Sequence, residues 1–448
     1  MDKLLSVGLD VGTTSTQLIF SELAMENRAG SFSVPEMAIT QRKIRYQSPV
    51  YFTPLLDEAR VDGAALKNLI SREYAAAGIA REEVDTGAII ITGETSRKEN
   101  AETVLRELSG FAGDFVVATA GPDLESVLAA KGAGAVECSR ETGDRLLHMD
   151  IGGGTSNLAL VEDGRILATG CLNVGGRLVK FDENHNITYV SPVLRGLCGL
   201  EIGQKASPEN LKPVAELLTR ALEMAAGRRE PDDLLARLTT AGTFMEPPAG
   251  RVIPSFSGGV ADCIGEERAW DCFGDMGPIL GKAIRESRLC EEKYLLGRET
   301  IRATVIGAGC HSAQLSGSTI FHRNVEFPMK NLPVLRPEGD ITGYLKRELP
   351  KQESVPVIAL TGPPEPGYGG IRKLADRLAE AIPIGPILIC LEQDAAKALG
   401  QTLALLLRPD RPILCIDRVR LTGESYLDIG SPAGPALPVV VKTLVLNR

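Results

Sequence analysis

Aromatic side chains are scarce in this chain. Phenylalanine, tryptophan and tyrosine make 4% of its 448 residues, with one tryptophan, Trp270. So few rings argue against a base-stacking platform or an aromatic sugar cleft, which need several side by side. Positive charge is in deficit too. Forty-nine basic residues stand against 58 acidic ones, a formal net charge of −9. Neutralising nucleic-acid phosphates or an anionic membrane needs the opposite balance, so no nucleic acid and no membrane is expected as a partner. No apolar run reaches the roughly 18 residues of a membrane span. The first residues show no signal-peptide pattern, and a cytoplasmic protein is expected. The nine cysteines contain no Cys-x-x-Cys. Their odd number and long spacing signal neither a disulfide framework nor a zinc or iron–sulfur site. The four histidines make no metal spacing, and His148, inside a predicted buried strand, reads as a core residue.

Glycine is what the chain has in excess, 47 residues against a background of about 7%. Part of that excess falls in two turns of one design. Residues 4–20 read LLSVGLDVGTTSTQLIF and residues 146–161 read LLHMDIGGGTSNLALV. Each is an apolar strand reaching an aspartate, then a Gly/Thr-rich turn, then a second apolar strand. Aligning Asp10 with Asp150 pairs Gly12 with Gly152, Ser15 with Thr155 and Leu18 with Leu158. The same device at the head of each half predicts an internally duplicated α/β architecture. Its residue types suit a phosphate. Gly12, Gly152, Gly153 and Gly154 let backbone approach an anion without a clashing Cβ, and successive N–H groups make a concave anion site. Thr13, Thr14, Ser15 and Thr155 add hydroxyl donors. Asp10 and Asp150 would repel phosphate, so their use is to hold Mg²⁺ or its waters, or to orient an attacking water.

This constellation resembles the actin/Hsp70/sugar-kinase superfamily, in which two related, ribonuclease H-like lobes clamp ATP between them. The resemblance implies that Asp10–Thr16 is the first phosphate motif and Asp150–Asn157 the second. It also implies that Gly175–Gly176, in NVGGR, is the turn that follows the second motif. GPDLESVLAAKGAGA (121–135) is similar to an inter-lobe helix. Asp123 falls where such proteins carry an acid near the attacking water, with Glu125 the neighbouring candidate. Acids are equally favoured in a first helical turn. Two segments compete as the adenosine motif. One is VIPSFSGGVADC (252–263), with Gly258–Gly259, followed by DMGPILGKAI (275–284) as second inter-lobe helix. The rival is ATVIGAGCHSAQLSG (303–317), with Gly307 and Gly309, paired with the helix QDAAKALGQTLALLL (393–407).

The expected organisation is lobe I over 1–145, with an inserted subdomain at about 21–85, lobe II over 146–330, and a C-terminal α/β unit over 331–448. NLPVLRPEGD reads as a Pro-bearing linker. DIGSP (428–432) reads as a turn, and TGPPEPGYGG (361–370) as a loop without the Lys-Ser/Thr that ends a phosphate loop.

Fold alone does not choose among the superfamily's kinases, chaperones and filament formers. Longer blocks do. YQSPVYFTP, GAIIITGETSRKENA, GDFVVATAGPDLESVLAAKGAGA, CLNVGGRLV, SGGVADC and TIRATVIGAG, with both phosphate turns, closely resemble the family of ethanolamine ammonia-lyase reactivating factors. The resemblance runs from about residue 4 to 445 and is looser at about 185–250 and 335–390. It implies an ATP- and Mg²⁺-dependent chaperone whose partner is the adenosylcobalamin-dependent ethanolamine ammonia-lyase. It would free damaged cobalamin so that intact cofactor can bind, and it would work in the cytoplasm, in association with the ethanolamine-utilisation microcompartment. A small-molecule kinase and an ATP-dependent filament former stay as alternatives. Homodimer formation is open at this stage. An iron–sulfur activator is disfavoured, because it needs bridging cysteine pairs.

Overall fold

The structure, a computed structural model, describes residues 2–12, 15–27, 37–57, 60–91, 100, 103–104, 108, 116–119, 122–240, 246–311, 313–316, 319–352, 354–363, 365, 367–419, 421, 425–430, 432 and 437–443. In the first lobe, Asp2–Val11 (β1) pairs antiparallel with Ser15–Asn27 (β2), and β2 antiparallel with Met37–Gln47 (β3). On its other side β1 runs parallel to Thr86–Ile91 (β4), and β4 parallel to Val116–Thr119 (β5). The spatial order is β3-β2-β1-β4-β5. β4 is buried at every position; its isoleucines suit a parallel strand covered on both faces.

The second lobe repeats the plan. Leu146–Ile151 (β6), Ser156–Glu162 (β7), Arg165–Leu172 (β8), Ile253–Ser257 (β9) and Leu295–Leu296 (β10) stand in the order β8-β7-β6-β9-β10. The first three are antiparallel, and β6, β9 and β10 are parallel. The duplicated α/β lobes are therefore present, strand for strand.

The stretch expected as an inserted subdomain is part of lobe I itself. β3 extends the lobe's sheet, and the helix Gly63–Ala77 (α1) covers it. Asp62 caps α1, its Oδ1 accepting from the Ala65 N–H at 2.9 Å. Leu66, Ile70 and Tyr74 of α1 pack with Val7, Leu9 and Ile89 in one core. The apolar spacing of α1 therefore serves the main sheet rather than a separate body.

Pro122–Gly132 (α2) leaves lobe I and packs on lobe II, where the Ser126 hydroxyl donates to the Gly170 carbonyl on β8 at 3.2 Å. Lobe II has its own helices, Pro208–Ala225 (α3), Gly259–Gly265 (α4) and Gly277–Arg285 (α5). Leu218 and Leu222 of α3 share a core with Ile279, Leu280 and Ile284 of α5. The helix Ala303–His311 (α6) then crosses to lobe I. A Cβ on Gly8 of β1 would meet the Val305 carbonyl oxygen at 2.5 Å. A Cβ on Gly132 would meet the Ala303 oxygen at 1.8 Å, and one on Gly307 the Leu128 oxygen at 2.0 Å. α2 and α6 thus cross with their backbones in contact, which only glycine permits. The second inter-lobe helix is α6, not 275–284.

The last eight strands are Ala313–Leu315 (β11), Phe321–Arg323 (β12), Met329–Leu335 (β13), Val357–Leu360 (β14), Ile387–Leu391 (β15), Ile413–Asp417 (β16), Ser425–Ile429 (β17) and Pro438–Thr443 (β18). They form one sheet, β11-β18-β17-β13-β14-β15-β16-β12, whose centre from β13 to β16 is parallel. Tyr368–Ala381 (α7) and Ala396–Leu406 (α8) cover one face through Leu374, Leu378, Leu399 and Leu403. Two readings change here. Residues 331–335 of the expected linker are strand, with Pro333 beside a register shift between Met329 and Leu332, a place where a strand tolerates proline. Asp428 and Ile429, read as a turn, end β17. The third sheet therefore begins at Ala313, ahead of the expected boundary at 330.

Candidate functional site

The two turns close in the same way. Gly12 N–H donates to the Ser15 carbonyl at 2.8 Å, and Gly152 N–H to the Thr155 carbonyl at 2.9 Å. The strand registers match too, Asp10 opposite Gln17 and Asp150 opposite Asn157. Both turns open into one cleft of about 320 Å³ between the lobes. Asp10, Gly12 and Ser15 line it from lobe I. Gly152, Gly153, Gly154 and Thr155 line it from lobe II with Asp150, Gly176, Gly258 and Gly259. Thr13 and Thr14 lie outside the described residues.

Other expected residues fall around this cleft. Gly175 does not line it but supports it. A Cβ there would meet the Gly153 carbonyl oxygen at 2.3 Å, and the Gly176 and Arg177 N–H groups donate to the Gly152 and Gly153 carbonyls at 3.0 and 2.6 Å. The 173–177 turn is thereby stacked on the second phosphate turn. Gly258 has φ of +85°, and it opens α4 where a Cβ would strike the Ile151 carbonyl. Gly307 and Gly309 lie in α6 and serve helix packing, so of the two adenosine candidates only the Gly258–Gly259 pair reaches the cleft. Asp123 is exposed and accepts a hydrogen bond from the Thr169 hydroxyl at 2.7 Å. Its neighbour Glu125 lines the cleft.

Asp150 is deeply set, 6% exposed. Ser257 donates to its Oδ1 and Thr304 of α6 to its Oδ2, the latter at 3.2 Å. Burial pushes its pKa above the ordinary carboxylate value, against the pull of these two hydroxyls. Behind it, His148 bridges Ser255 through Nδ1 at 3.1 Å and Ser257 through Nε2 at 2.9 Å. Burial pushes the His148 pKa down to about 3, so the ring is a neutral spacer between hydroxyls. On the far wall, Arg177 Nε donates to Asp275 Oδ2 at 3.0 Å, and the Gly277 N–H to Asp275 Oδ1 at 2.8 Å. Burial raises the Asp275 pKa despite both contacts. The blocks NVGGR and DMGPILGKAI contain Arg177 and Asp275, but their separation of 98 positions hid the pair. Thr304 was equally hidden, because nothing in its local sequence signals a contact with Asp150.

The cleft suits a phosphate chain with a hard cation. Glycines of the two turns line it, with Asp10 contributed by lobe I and Asp150 by lobe II. Among the described residues no group of three or more His, Cys, Asp or Glu forms an all-protein metal cage. Mg²⁺ does not need one, since it takes one or two carboxylates and fills its shell with water and phosphate oxygens. A larger groove of about 960 Å³ adjoins the cleft, and Cys263 lines both. Trp270, Pro278 and Ile279 give it apolar wall, and Glu216, Thr219 and Arg220 of α3 give it polar wall. No helix among the described residues is long and apolar enough to cross a membrane.

A family model described as "Ethanolamine utilisation protein EutA" matches residues 2–447. Over 471 aligned residues the chain is 40% identical to the ethanolamine ammonia-lyase reactivase EutA of Salmonella typhimurium, covering 99% of this chain and 98% of that protein. Its identity to the reactivase of the same name from Escherichia coli is 40% over 475 residues, with the same coverage. Among solved structures, a Ppx/GppA family member from Aquifex aeolicus is similar over 68% of this chain and 97% of that one, with TM-score 0.41 at 12% identity.

Proposed function

This chain belongs to the family of the ethanolamine utilisation protein EutA, and from that premise we propose that it is an ATP-dependent reactivase of ethanolamine ammonia-lyase. The observation that carries the nucleotide half of this reading is the pair of matching turns opening on one cleft. The phosphates of ATP lie between the turns, held by backbone N–H groups. Asp10 and Asp150 are the residues that hold Mg²⁺, which supplies charge neutralisation on the phosphoryl oxygens. In this reading Glu125, which lines the cleft, orients the attacking water, rather than the exposed Asp123 two positions before it. The cleft alone is small for a whole nucleotide, so the adenosine passes Gly258–Gly259 and Cys263 into the adjoining groove.

ATP bridging two lobes creates a two-state element, open or closed. Nucleotide shifts the grip on a partner only if the partner binds the two states unequally. The proposed cycle uses that difference on inactivated lyase, loosening its hold on damaged cobalamin so that intact adenosylcobalamin enters. The protein then works where the lyase is, including the ethanolamine-utilisation microcompartment. The test is release of cyanocobalamin from inactivated lyase, with Asp10→Ala and Asp150→Ala proteins beside the parent. Both variants are expected to lose ATP-dependent release. Normal release by both sinks the proposal.

A further inference from the structure

The C-terminal sheet carries a second carboxylate site, far in sequence from both phosphate turns. Its strands β15 and β16 are parallel neighbours, with Leu391 opposite Asp417 at their carboxyl ends. That end of a parallel sheet is where α/β folds present ligand-binding groups. Asp417 closes β16, and Asp394 follows β15 by three residues. Thr319 precedes the edge strand β12, whose antiparallel register on β16 carries it to Asp417.

The hydrogen bonding of these three residues does not balance. The Thr319 hydroxyl stands 2.5 Å from Asp394 Oδ1 and also contacts Asp417 Oδ2. A hydroxyl has one proton and donates to one oxygen. With both carboxylates ionised, one oxygen therefore faces the hydroxyl with no proton between them, and either a proton on one carboxyl or a cation at the cluster restores the balance. Asp417 is fully buried, and its other oxygen, Oδ1, has no hydrogen-bond partner among the described residues. The Ala396 N–H also donates to Oδ2, at 3.0 Å. Arg418 pairs with Asp394 Oδ2 at 2.8 Å, and Arg336 with Glu392 at 3.0 Å. Burial and the Asp394 charge both disfavour an ionised Asp417, although Thr319, Ala396 and Arg418 oppose them. An unpartnered, fully buried carboxylate oxygen costs free energy unless something positive meets it.

We propose that Asp417, Asp394 and the Thr319 hydroxyl form a divalent-cation site in the C-terminal unit, separate from the inter-lobe cleft. All its ligands are oxygens, which selects a hard cation such as Mg²⁺, and two carboxylates with a hydroxyl leave room for the waters that ion keeps. A cation there removes the proton imbalance, because the hydroxyl oxygen then coordinates while its proton serves a single carboxylate. It also ties the β12 edge to the ends of β15 and β16.

The probe is Mn²⁺, followed by electron paramagnetic resonance on the full chain without nucleotide. A paired Asp10→Asn, Asp150→Asn variant silences the cleft. Asp394, which is exposed, is replaced by Asn, because Asp417 is too deep for a safe substitution. The expected result is that the cleft-silenced protein still binds one Mn²⁺ and that adding Asp394→Asn weakens this site roughly tenfold or more. Mn²⁺ should also raise the unfolding temperature of the cleft-silenced protein and fail to do so once Asp394 is changed. Loss of all Mn²⁺ binding on silencing the cleft overturns the proposal, as does unchanged binding after Asp394→Asn. Either result leaves Asp417 a protonated acid.

Discussion

The two phosphate turns share a hydrogen bond and a register, yet the position two residues before each aspartate differs. In lobe I it is Gly8, and in lobe II it is His148. Gly8 is bare because α6 lies on it. His148 fills the same place in the repeat with a buried ring that bridges Ser255 and Ser257, and Ser257 donates to Asp150. One half of the duplication uses the position for close helix packing, the other for a polar network. Helix α6 serves both, since Val305 contacts Gly8 and Thr304 donates to Asp150. Asp10 is half-buried, whereas Asp150 is 6% exposed. The duplication thus supplies two similar turns, and the difference makes one a preorganised wall and the other a more solvated one.

The strongest way to break the symmetry is to remove each aspartate in turn. Asp10→Ala and Asp150→Ala are each expected to lower ATP turnover by about 100-fold or more, the scale for losing a group aimed at transition-state charge. Phosphate release at saturating Mg²⁺ reads this, and near-parental turnover by either would remove that turn from the chemistry. Next comes Gly8→Ala. The added methyl meets backbone atoms of α6, which cannot swing away as a side chain would, so a cost of about 3 kcal/mol is expected. Urea unfolding measures it, and a parental midpoint would mean that α6 does not rest on β1. Ser257→Ala comes third. It leaves Asp150 with Thr304 as its remaining side-chain donor and His148 without one of its two serines. A loss of about 1–3 kcal/mol follows, read by the same unfolding curves.

The turns and their duplication were legible in the sequence because each is local. A strand, an aspartate and a run of glycines carry their meaning within about a dozen residues. Gly258–Gly259 was legible for the same reason, though only as one of two candidates. The inter-lobe helix was not. Gly307 and Gly309 look like turn glycines in ATVIGAGCHSAQLSG, and only the approach of Leu128 and Gly8 shows that they are packing glycines. The Arg177–Asp275 pair and the Thr304–Asp150 contact span 98 and 154 positions, beyond any local pattern. The region at 21–85 was misjudged because an alternating strand and an amphipathic helix are as compatible with an insertion as with the edge of the main sheet. Prolines similarly disguised β13 as a linker.

The finest test of the comparison uses stability rather than activity. Asp10→Asn and Asp150→Asn should both lose turnover, so activity alone does not separate them. Asp10 is partly solvated, and water screens much of its charge, so its neutralisation should move unfolding by less than about 0.5 kcal/mol. Asp150 pays for its burial, as the upward push on its pKa indicates. Asparagine keeps an acceptor for Ser257 or Thr304, and the other hydroxyl can rotate to accept from the amide. It also removes the cost of a buried charge. Asp150→Asn is therefore expected to stabilise the metal-free protein by about 1 kcal/mol, and Mg²⁺ with nucleotide should reverse the order by stabilising the parent more. Urea curves with EDTA and then with Mg²⁺-nucleotide give the comparison. Equal shifts for the two variants in EDTA would show that the walls are not different in kind, and that the contrast between Gly8 and His148 has no consequence for the carboxylates they support.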